Sequence, residues 1–330
     1  MSPTPLYPLR FDPIYEYRPW GGRRLASVLG APLPGDGLIG EAWVLSDRDD
    51  HPSRVAAGPL KGLTIADLLE QLPEGMLGKL ARRFPRFPVL LKFLDVSGIL
   101  SVQVHPSDAN IELLPAGESG KTEAWTVLEA GPEARIYMGL KPGATLDGLR
   151  AALAKGVVAE YLEYFNPKVG DAVLIPAGTV HSLGGGVVVF EVQQNSDVTF
   201  RLYDWDNVDA KTGRPRVLQT EHALACIDFS RRAAGLVKPA VEASEPVARE
   251  RLVDCEHFHL WRLRGQLPFT VGSPGSPRVL VCIEGAGQVL RDGNSYNMGK
   301  GDVYLLPAAI GQCTFKPRLA VCLLEIALPD

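Results

Sequence analysis

The sequence predicts a mainly β protein made of two β units, each a sandwich or barrel, with short helical insertions. Segments rich in Val, Ile and Leu and of strand length recur along the whole chain. Helical patterns are confined to a few short stretches, and one motif occurs twice without a gap.

The first unit contains most of the helical character. Strands are expected over 87–94, 100–105, 124–128, 172–175, 187–193 and 199–203. Helices are expected over 64–83, 146–156 and 219–226, with Gly and Pro at the joins.

A change in composition precedes the second unit. The segment RRAAGLVKPAVEASEPVARE at 231–250 is rich in Ala, Pro and charge and has little periodicity, which predicts a linker or crossing segment. Strand patterns resume at 258–263, 279–283, 287–291, 303–306 and 320–326. We therefore expect one domain over 1–230, a linker over 231–250 and a second β domain over 251–330.

The two units share a motif. GDAVLIPAGTVH at 170–181 aligns with GDVYLLPAAIGQ at 301–312, with Gly-Asp at the start and Pro at the seventh position of both. The last position holds His181 in the first unit and Gln312 in the second. If His181 binds a ligand, the second unit has lost that capacity and serves the structure.

Composition excludes several classes of partner. The chain has 330 residues and a formal net charge of −4, and its Lys and Arg residues are dispersed, so we expect neither a nucleic-acid nor a membrane partner. No signal peptide or membrane-spanning apolar run is visible. The five cysteines lie in the last third without a C-x-x-C pair, which fits reduced thiols. These features predict a cytoplasmic protein and leave its oligomeric state, monomer or homodimer, undetermined.

The segment SVQVHPSD at 101–108 places two polar side chains on one face of a buried strand. Side chains alternate along a strand, so Gln103 and His105 point one way while Val102 and Val104 point the other. Such groups either bond to neighbouring backbone or bind a shared ligand.

Two further segments favour a ligand. A Gly-Asp turn, a short apolar strand and Pro-x-Gly-x-x-His form the second motif of the cupin barrel, complete here from Gly170 to His181. Glu123, in GKTEAWTVL, opens an otherwise apolar strand, where a carboxylate needs a cation to face. Two imidazoles, a carboxylate and an amide oxygen suit Zn²⁺ or another first-row divalent ion.

Taken together, SVQVHP, GKTEAW, IPAGTVHSLG and EVQQNSDVTFRLYDW resemble the type I mannose-6-phosphate isomerases in their short bacterial form. The resemblance runs from FDPIYEYRPWGG and IGEAWVLSD to GRPRVLQTEHAL and thus covers most of the first two-thirds of the chain. It implies cupin (jelly-roll) barrels, the second of them degenerate. It also implies one zinc ion per chain, held by Gln103, His105, Glu123 and His181.

The family's reaction interconverts mannose 6-phosphate and fructose 6-phosphate through an enediol, which requires a base, oxyanion stabilisation and cations for the phosphate. The resemblance implies that Arg201 stabilises the enediolate or the phosphate. We expect Glu191 to be the proton-transfer base. Alternatively, Glu191 forms an ion pair with a residue that contacts the substrate, without transferring the proton itself. Lys92 and Lys121 match lysines around the substrate, with phosphate contact or proton relay as their roles.

The sequence is also compatible with three alternative functions. The chain could be a non-catalytic sugar-phosphate-binding barrel, an isomerase of another hexose phosphate, or an Fe²⁺ cupin oxygenase. Gln103 and the surrounding Lys and Arg residues favour an anionic sugar over the oxygenase. A second metal site at His257 and His259 is disfavoured, because no carboxylate or downstream histidine accompanies that pair.

Overall fold

The computed structural model describes residues 6–209, 212–230 and 235–329, and it confirms the predicted mainly β fold. Each of two units consists of two antiparallel sheets, and the helices are short. Within the described ranges, no helix is long and apolar enough to cross a membrane.

The first unit pairs a six-stranded sheet with a five-stranded sheet. Its strands are β1 (Ile14–Glu16), β2 (Glu41–Leu45), β3 (Val89–Val96), β4 (Val102–Val104), β5 (Glu123–Ala130), β6 (Arg135–Leu140), β7 (Leu162–Phe165), β8 (Ala172–Ile175), β9 (His181–Gly184), β10 (Val187–Gln194), β11 (Phe200–Tyr203), β12 (Val208–Asp209) and β13 (Arg214–Pro215). The sheet orders are β1-β2-β3-β10-β5-β8 and β11-β4-β9-β6-β7, while β12 and β13 form a separate small ribbon. Trp125 and Val189 of the larger sheet pack against Ile136 and Leu183 of the smaller one, which closes one end of the unit.

Within its described residues, the first unit also contains five short α-helices. They are α1 (Leu25–Leu29), α2 (Ile65–Gln71), α3 (Pro73–Leu77), α4 (Leu146–Ala154) and α5 (Thr220–Cys226), with 3₁₀ turns at Gly78–Arg82, Ile111–Leu113 and Val158–Tyr161.

The single helix expected over 64–83 is divided into three pieces. Thr64 begins α2 with a capping box, because its Oγ1 accepts from Asp67 N at 3.0 Å while the Asp67 carboxylate accepts from Thr64 N at 2.7 Å. Pro73 disfavours helical geometry at the preceding residue, and Leu72 accordingly has φ −138° and ψ 50°. The apolar pattern therefore continues past a break that proline imposes.

The second unit repeats the two-sheet arrangement. Its strands are β14 (Ala240–Ala243), β15 (Ala248–Asp254), β16 (His259–Gly265), β17 (Phe269–Val271), β18 (Arg278–Glu284), β19 (Ala286–Arg291), β20 (Asn294–Gly299), β21 (Val303–Leu306), β22 (Cys313–Pro317) and β23 (Val321–Ala327), with a 3₁₀ turn at Ala308–Ile310. The sheet orders are β14-β15-β16-β23-β18-β21 and β17-β22-β19-β20.

Part of the expected linker over 231–250 lies in this unit's larger sheet. Residues 240–243 form β14 and residues 248–250 begin β15, and the two strands pair antiparallel. As an edge strand, β14 has mostly exposed side chains, so its sequence carries no alternation of apolar and polar residues. Residues 231–234 lie outside the described residues.

The sheet register supports a structural duplication. In the first unit Trp125 pairs with both Val173 and Glu191. In the second unit Leu280 pairs with both Tyr304 and Glu325. Because Val173 and Tyr304 occupy the same position of the repeated motif, Glu325 is the register counterpart of Glu191.

The same comparison identifies the counterpart of Glu123. Glu123 pairs with Ile175, and Arg278 pairs with Leu306 at the equivalent position of the repeated motif. A cationic side chain thus stands in the second unit where the first has a buried carboxylate.

The two six-stranded sheets share one apolar core. Phe93, Phe190 and Val192 of the first unit and Val281 and Leu324 of the second belong to a single buried cluster. Packing of one sheet face on another accounts for this cluster. The outer face of the first unit is therefore covered by the second.

Phe190→Ala tests this shared core. Phe190 is fully buried, and its ring lies 5.1 Å from that of Phe93, edge to face. We expect a loss of about 3–5 kcal/mol in the free energy of unfolding, measured by urea denaturation. Leu319→Ala, at a side chain that is 81% exposed, is the control and should change stability by no more than about 0.5 kcal/mol. Equal effects of the two substitutions would contradict a shared core.

Candidate active site

A cavity of about 430 Å³ opens between the two sheets of the first unit. Strands β2, β3 and β10 supply one wall, and β4 and β11 supply the other. Its charged lining residues are Arg18, Glu41, Lys92, Lys121, Glu191, Asp197, Arg201, Asp209 and Arg216. Clustered charge of both signs in a concave site is typical of binding and catalysis.

Beside this cavity the structure brings together His105, Glu123 and His181, all fully buried. His105 follows β4, Glu123 begins β5 and His181 begins β9. The Nε2 atoms of His105 and His181 lie 3.3 Å from Glu123 Oε2 and Oε1, respectively. The three potential ligand atoms lie within 4.8 Å of one another.

Both imidazoles present a lone pair to the carboxylate. The Nδ1 atom of His105 donates to Val198 O at 2.9 Å, and that of His181 donates to Thr179 O at 2.9 Å, which leaves both Nε2 atoms as acceptors. Burial and the charge of Lys121 lower the pKa of His105 to about 3, and burial lowers the pKa of His181. Both rings are therefore neutral near pH 7.

The Glu123 carboxylate is ionised in this setting. Burial opposes its ionisation, but Lys121, whose Nζ lies 2.8 Å from Oε2, together with His105 and His181 outweighs burial, so the net pKa of Glu123 is well below its usual value. Within the described part of the chain, neither oxygen of Glu123 has a hydrogen-bond donor of good geometry. Lone pairs of two imidazoles and a carboxylate thus converge, and the donor chemistry fits a divalent metal ion.

Gln103 lies directly beside this cluster. It pairs with His181 across β4 and β9, and its Nε2 donates to His181 Nε2 at 3.2 Å. Its Oε1 accepts from Ser101 Oγ at 3.4 Å. Coordination through Oε1, as predicted, requires the amide to rotate by half a turn, which exchanges two atoms of similar size.

Glu191 faces the cavity from the central strand β10. Trp125 Nε1 donates to its Oε1 at 2.7 Å, and Lys92 Nζ lies 4.0 Å from its Oε2. Burial, followed by the negative charge of Glu123, raises the pKa of Glu191 to about 7. A carboxyl group with this pKa can both accept and release a proton near neutral pH.

Lys92 is fixed by a set of contacts that sequence reasoning missed. Its Nζ lies 3.2 Å from Asp197 Oδ1 and 3.7 Å from Glu41 Oε2. It also lies 4.3 Å from the centre of the Trp43 ring, at cation–π distance. Asp197 stands in the quoted segment EVQQNSDVTFRLYDW, where an acidic residue four positions before Arg201 was the available signal.

Arg201 lies on β11 at the side of the cavity that Arg216 also lines. Its Nε donates to Ser101 Oγ at 3.2 Å and its Nη1 donates to Val217 O at 2.8 Å. Arg216 donates from Nε to Asp204 Oδ2 at 2.8 Å. Burial and the charge of Arg216 lower the pKa of Arg201, and both guanidinium groups belong to residues that line this cavity.

The remaining candidates do not form a comparable site. His257 and His259 contact Glu256 and Asp254, at 3.2 and 2.8 Å, as local surface pairs. Among the described residues, the cluster at His105 is the only group of three or more potential metal ligands of this kind. A larger cavity of about 660 Å³, bounded by Lys141, Tyr164 and Phe229, contains none of the cluster's members.

Comparison with known proteins agrees with this geometry. Residues 9–123 match the family described as phosphomannose isomerase type I, catalytic domain. The chain is 33% identical over 315 residues to mannose-6-phosphate isomerase ManA of Bacillus subtilis, covering 92% of this chain and 94% of the relative. It is 32% identical over 305 residues to a mannose-6-phosphate isomerase of Streptococcus mutans, covering 92% and 93% of the two chains.

Solved structures extend the likeness to the fold. The crystal structure of the mannose 6-phosphate isomerase from Bacillus subtilis superposes with a TM-score of 0.89 at 30% identity, covering 97% of this chain and 99% of that one. A putative mannosephosphate isomerase from Archaeoglobus fulgidus shares the fold, with a TM-score of 0.78 at 22% identity over 100% of both chains. Because the Bacillus subtilis ManA relative is 33% identical over 92% of this chain and 94% of its own length, the chain belongs to the type I phosphomannose isomerase family.

Proposed function

We propose that this chain interconverts mannose 6-phosphate and fructose 6-phosphate with a Zn²⁺ ion bound by Gln103, His105, Glu123 and His181. The observation that carries the proposal is the convergence of two neutral imidazoles and an ionised carboxylate beside a cavity lined by Lys92, Lys121 and Arg201. Nitrogen and oxygen donors without thiolate suit Zn²⁺. When bound, the ion would stabilise negative charge that develops on the sugar oxygens.

The isomerisation moves a proton between C2 and C1, and we assign this transfer to Glu191. Its carboxyl group lies in the cavity wall, is oriented by Trp125 and has a pKa of about 7. At Asp197, desolvation opposes ionisation, but Lys92, Lys121 and Arg18 outweigh it and lower the pKa to about 2. The more basic carboxylate is the better proton acceptor near neutral pH.

A comparison within the chain supports this role. Glu325, the register counterpart of Glu191, accepts from Arg249 Nη1 at 2.8 Å and from Gly272 N at 2.9 Å, so both of its oxygens are engaged. Among the described residues, Glu191 accepts one hydrogen bond, from Trp125, and the charged group near its Oε2 is the Lys92 ammonium at 4.0 Å. One position of the fold thus holds a structural carboxylate in one unit and an available one in the other.

The cationic side chains lie in two places: Lys121 and Lys92 lie near Glu123 and Glu191, and Arg201 and Arg216 line another part of the cavity. Lys121 Nζ lies 3.1 Å from His105 Nε2 and 2.8 Å from Glu123 Oε2, close to the reacting carbons in this assignment. Lys92 stands beside Glu191 and can balance the charge of that base. Arg201, with Arg216 nearby, is placed to bind the phosphate dianion or the enediolate.

We assign the reaction to the first unit, within residues 1–230, and a structural role to the second. Arg278 and Gln312 stand in the second unit at the positions of Glu123 and His181. A guanidinium group has no lone pair for a metal ion. The second unit instead covers the apolar outer face of the first.

Removal of a ligand tests the metal site. His181→Ala and Glu123→Ala should lower bound zinc and the rate of fructose 6-phosphate formation together, because each removes one donor from a buried cluster. Chelation of the parent protein should abolish activity, and added Zn²⁺ should restore it. His259→Ala is the matched control and should retain both metal and rate. If the parent protein binds zinc but isomerises only another hexose phosphate, the assignment of mannose 6-phosphate as substrate is wrong.

The pH dependence of kcat/KM tests the base. Glu191 must be ionised to accept a proton, so activity should fall as the pH falls through its pKa. A bound cation offsets the charge of Glu123, which contributes to the shift, so the acid limb should lie between 4.5 and about 7.

Two variants separate the candidate bases. Glu191→Gln should lower kcat by about 100-fold or more and remove the acid limb. Asp197→Asn should retain that limb, because Asp197 contacts Lys92 and does not act as the base. The reverse pattern would assign proton transfer to Asp197.

Arg201→Ala tests the anion-binding side. Zinc content should stay near that of the parent, because the Arg201 side chain bonds to Ser101 and Val217, while its pairing with Gln103 is through the backbone and survives the substitution. Turnover should fall by about 100- to 1,000-fold, the usual effect of removing a group that stabilises developing charge. Arg201→Lys, which keeps the charge and loses the planar fork, should recover part of the loss. Full activity in Arg201→Ala would exclude this residue from the mechanism.

A further inference from the structure

Two consecutive glutamines end strand β10, and their side chains point to opposite faces of the sheet. Gln193 is 0% exposed and Gln194 is 7% exposed. Neither touches a metal ligand through its side chain in any of the hydrogen bonds described for it. The amide of each glutamine forms hydrogen bonds to a different segment, and both segments contain residues of the candidate active site.

Gln193 holds the loop that joins β10 to β11. Its Nε2 donates to Ser196 O in a short hydrogen bond and to Gln194 O at 3.2 Å. The next two residues of this loop are Asp197, which contacts Lys92 Nζ at 3.2 Å, and Val198, whose carbonyl accepts from His105 Nδ1 at 2.9 Å. One amide thus fixes the backbone that orients both a metal ligand and a substrate-site lysine.

Gln194 holds the segment that leads into β5. Its Oε1 accepts from Thr122 N at 2.8 Å, and its Nε2 donates to Asp108 Oδ2 at 3.0 Å. Asp108 Oδ1 in turn accepts from Gly120 N at 2.7 Å. Gly120 and Thr122 flank Lys121, and Thr122 precedes Glu123, so this amide fixes the backbone on both sides of the buried cation.

We propose that Gln193 and Gln194 are positioning residues that set the geometry of the metal ligands and the lysines from the end of β10. The inference rests on the proposed function for its effect on turnover, but its effect on metal affinity is independent of the substrate. The acceptor of a ligating imidazole's second nitrogen fixes the tautomer and direction of the ring, and the loss of such an outer contact typically weakens metal binding. A site residue displaced by a fraction of an ångström loses much of its effect.

A purely structural role explains Gln193 less well. Its Oε1 is buried without a hydrogen-bond partner among the described residues, so the side chain brings an unsatisfied acceptor into the interior. Unsatisfied buried acceptors destabilise the folded state. An apolar residue of the same length would avoid that penalty, so stability alone does not account for a glutamine here.

The decisive experiment compares Gln193→Met with the parent. Methionine has nearly the same length and cannot hold the loop carbonyls. The affinity of the metal-free protein for Zn²⁺, measured by competition with a chromophoric chelator, should fall by about 10- to 100-fold. The kcat for mannose 6-phosphate should fall at saturating zinc by about 10-fold or more, with KM changed by less than about 3-fold, because loop position affects the reacting groups more than ground-state binding.

Gln288→Met is the matched control. Gln288 also lies on a strand and donates to a neighbouring side chain, Asn297 Oδ1 at 3.0 Å, but it belongs to the second unit. It should keep the parent's zinc affinity and kcat. Gln194→Met should weaken zinc binding and lower kcat through the segment before Glu123, and it decides the question if Gln193→Met does not fold.

Folded Gln193→Met and Gln194→Met proteins with the zinc affinity and kcat of the parent would overturn the proposal. A lower thermal midpoint with both quantities unchanged would overturn it as well, since it would leave only a structural role. If the parent binds zinc without isomerising mannose 6-phosphate, the proposed function fails, while the zinc-affinity comparison still tests the positioning role.

Discussion

A buried carboxylate that faces two imidazole lone pairs is the constraint on which the rest of the site depends. Glu123 is fully buried and ionised, and both histidines already donate their only ring N–H to backbone carbonyls. An ionised group without compensation in such a place is strongly unfavourable. Positive charge must therefore be close by. Lys121 supplies part of it, and the remaining lone pairs define the place of a metal ion.

The alternation of side chains along β10 connects this site to the stability of the whole chain. Glu191 and Gln193 point into the first unit, whereas Phe190 and Val192 belong to the core shared with the second unit. A shift of one residue in register would exchange the two sets of side chains. The apolar contact between the units therefore also holds the strand face that carries Glu191 and Gln193 in its register.

The sequence predicted this site because its residues interrupt buried strands. Glu123, His105 and Lys92 stand out as polar residues among apolar neighbours, and the structure brings them to one cavity and its edge. Asp197 did not stand out, since acidic residues are ordinary in loops.

Trp43 was missed for a different reason. Its sequence context is that of a core residue, and its contact with Lys92 depends on the register between β2 and β3, in which the two residues are paired. The helix break before Pro73 was missed because the apolar pattern continues across it. Strand β14 was missed because its side chains are mostly exposed and show no apolar alternation. Sequence patterns thus identify site residues that differ from their neighbours, such as a charge within an apolar strand. Site residues with an ordinary local sequence, such as Asp197 and Trp43, are identified only from the tertiary structure.

The duplicated register places two buried glutamates at one position of the fold in two different environments. Glu191 and Glu325 occupy equivalent places on the central strands β10 and β23, each inside its own unit. Arg249 and a backbone N–H engage the two oxygens of Glu325 and hold its carboxylate in place. At Glu191 one donor orients the group, and burial keeps its proton affinity high. The two units thus differ in how far the neighbours engage the buried carboxylates: among the described residues, Glu191 Oε2 and both oxygens of Glu123 lack a hydrogen-bond donor of good geometry.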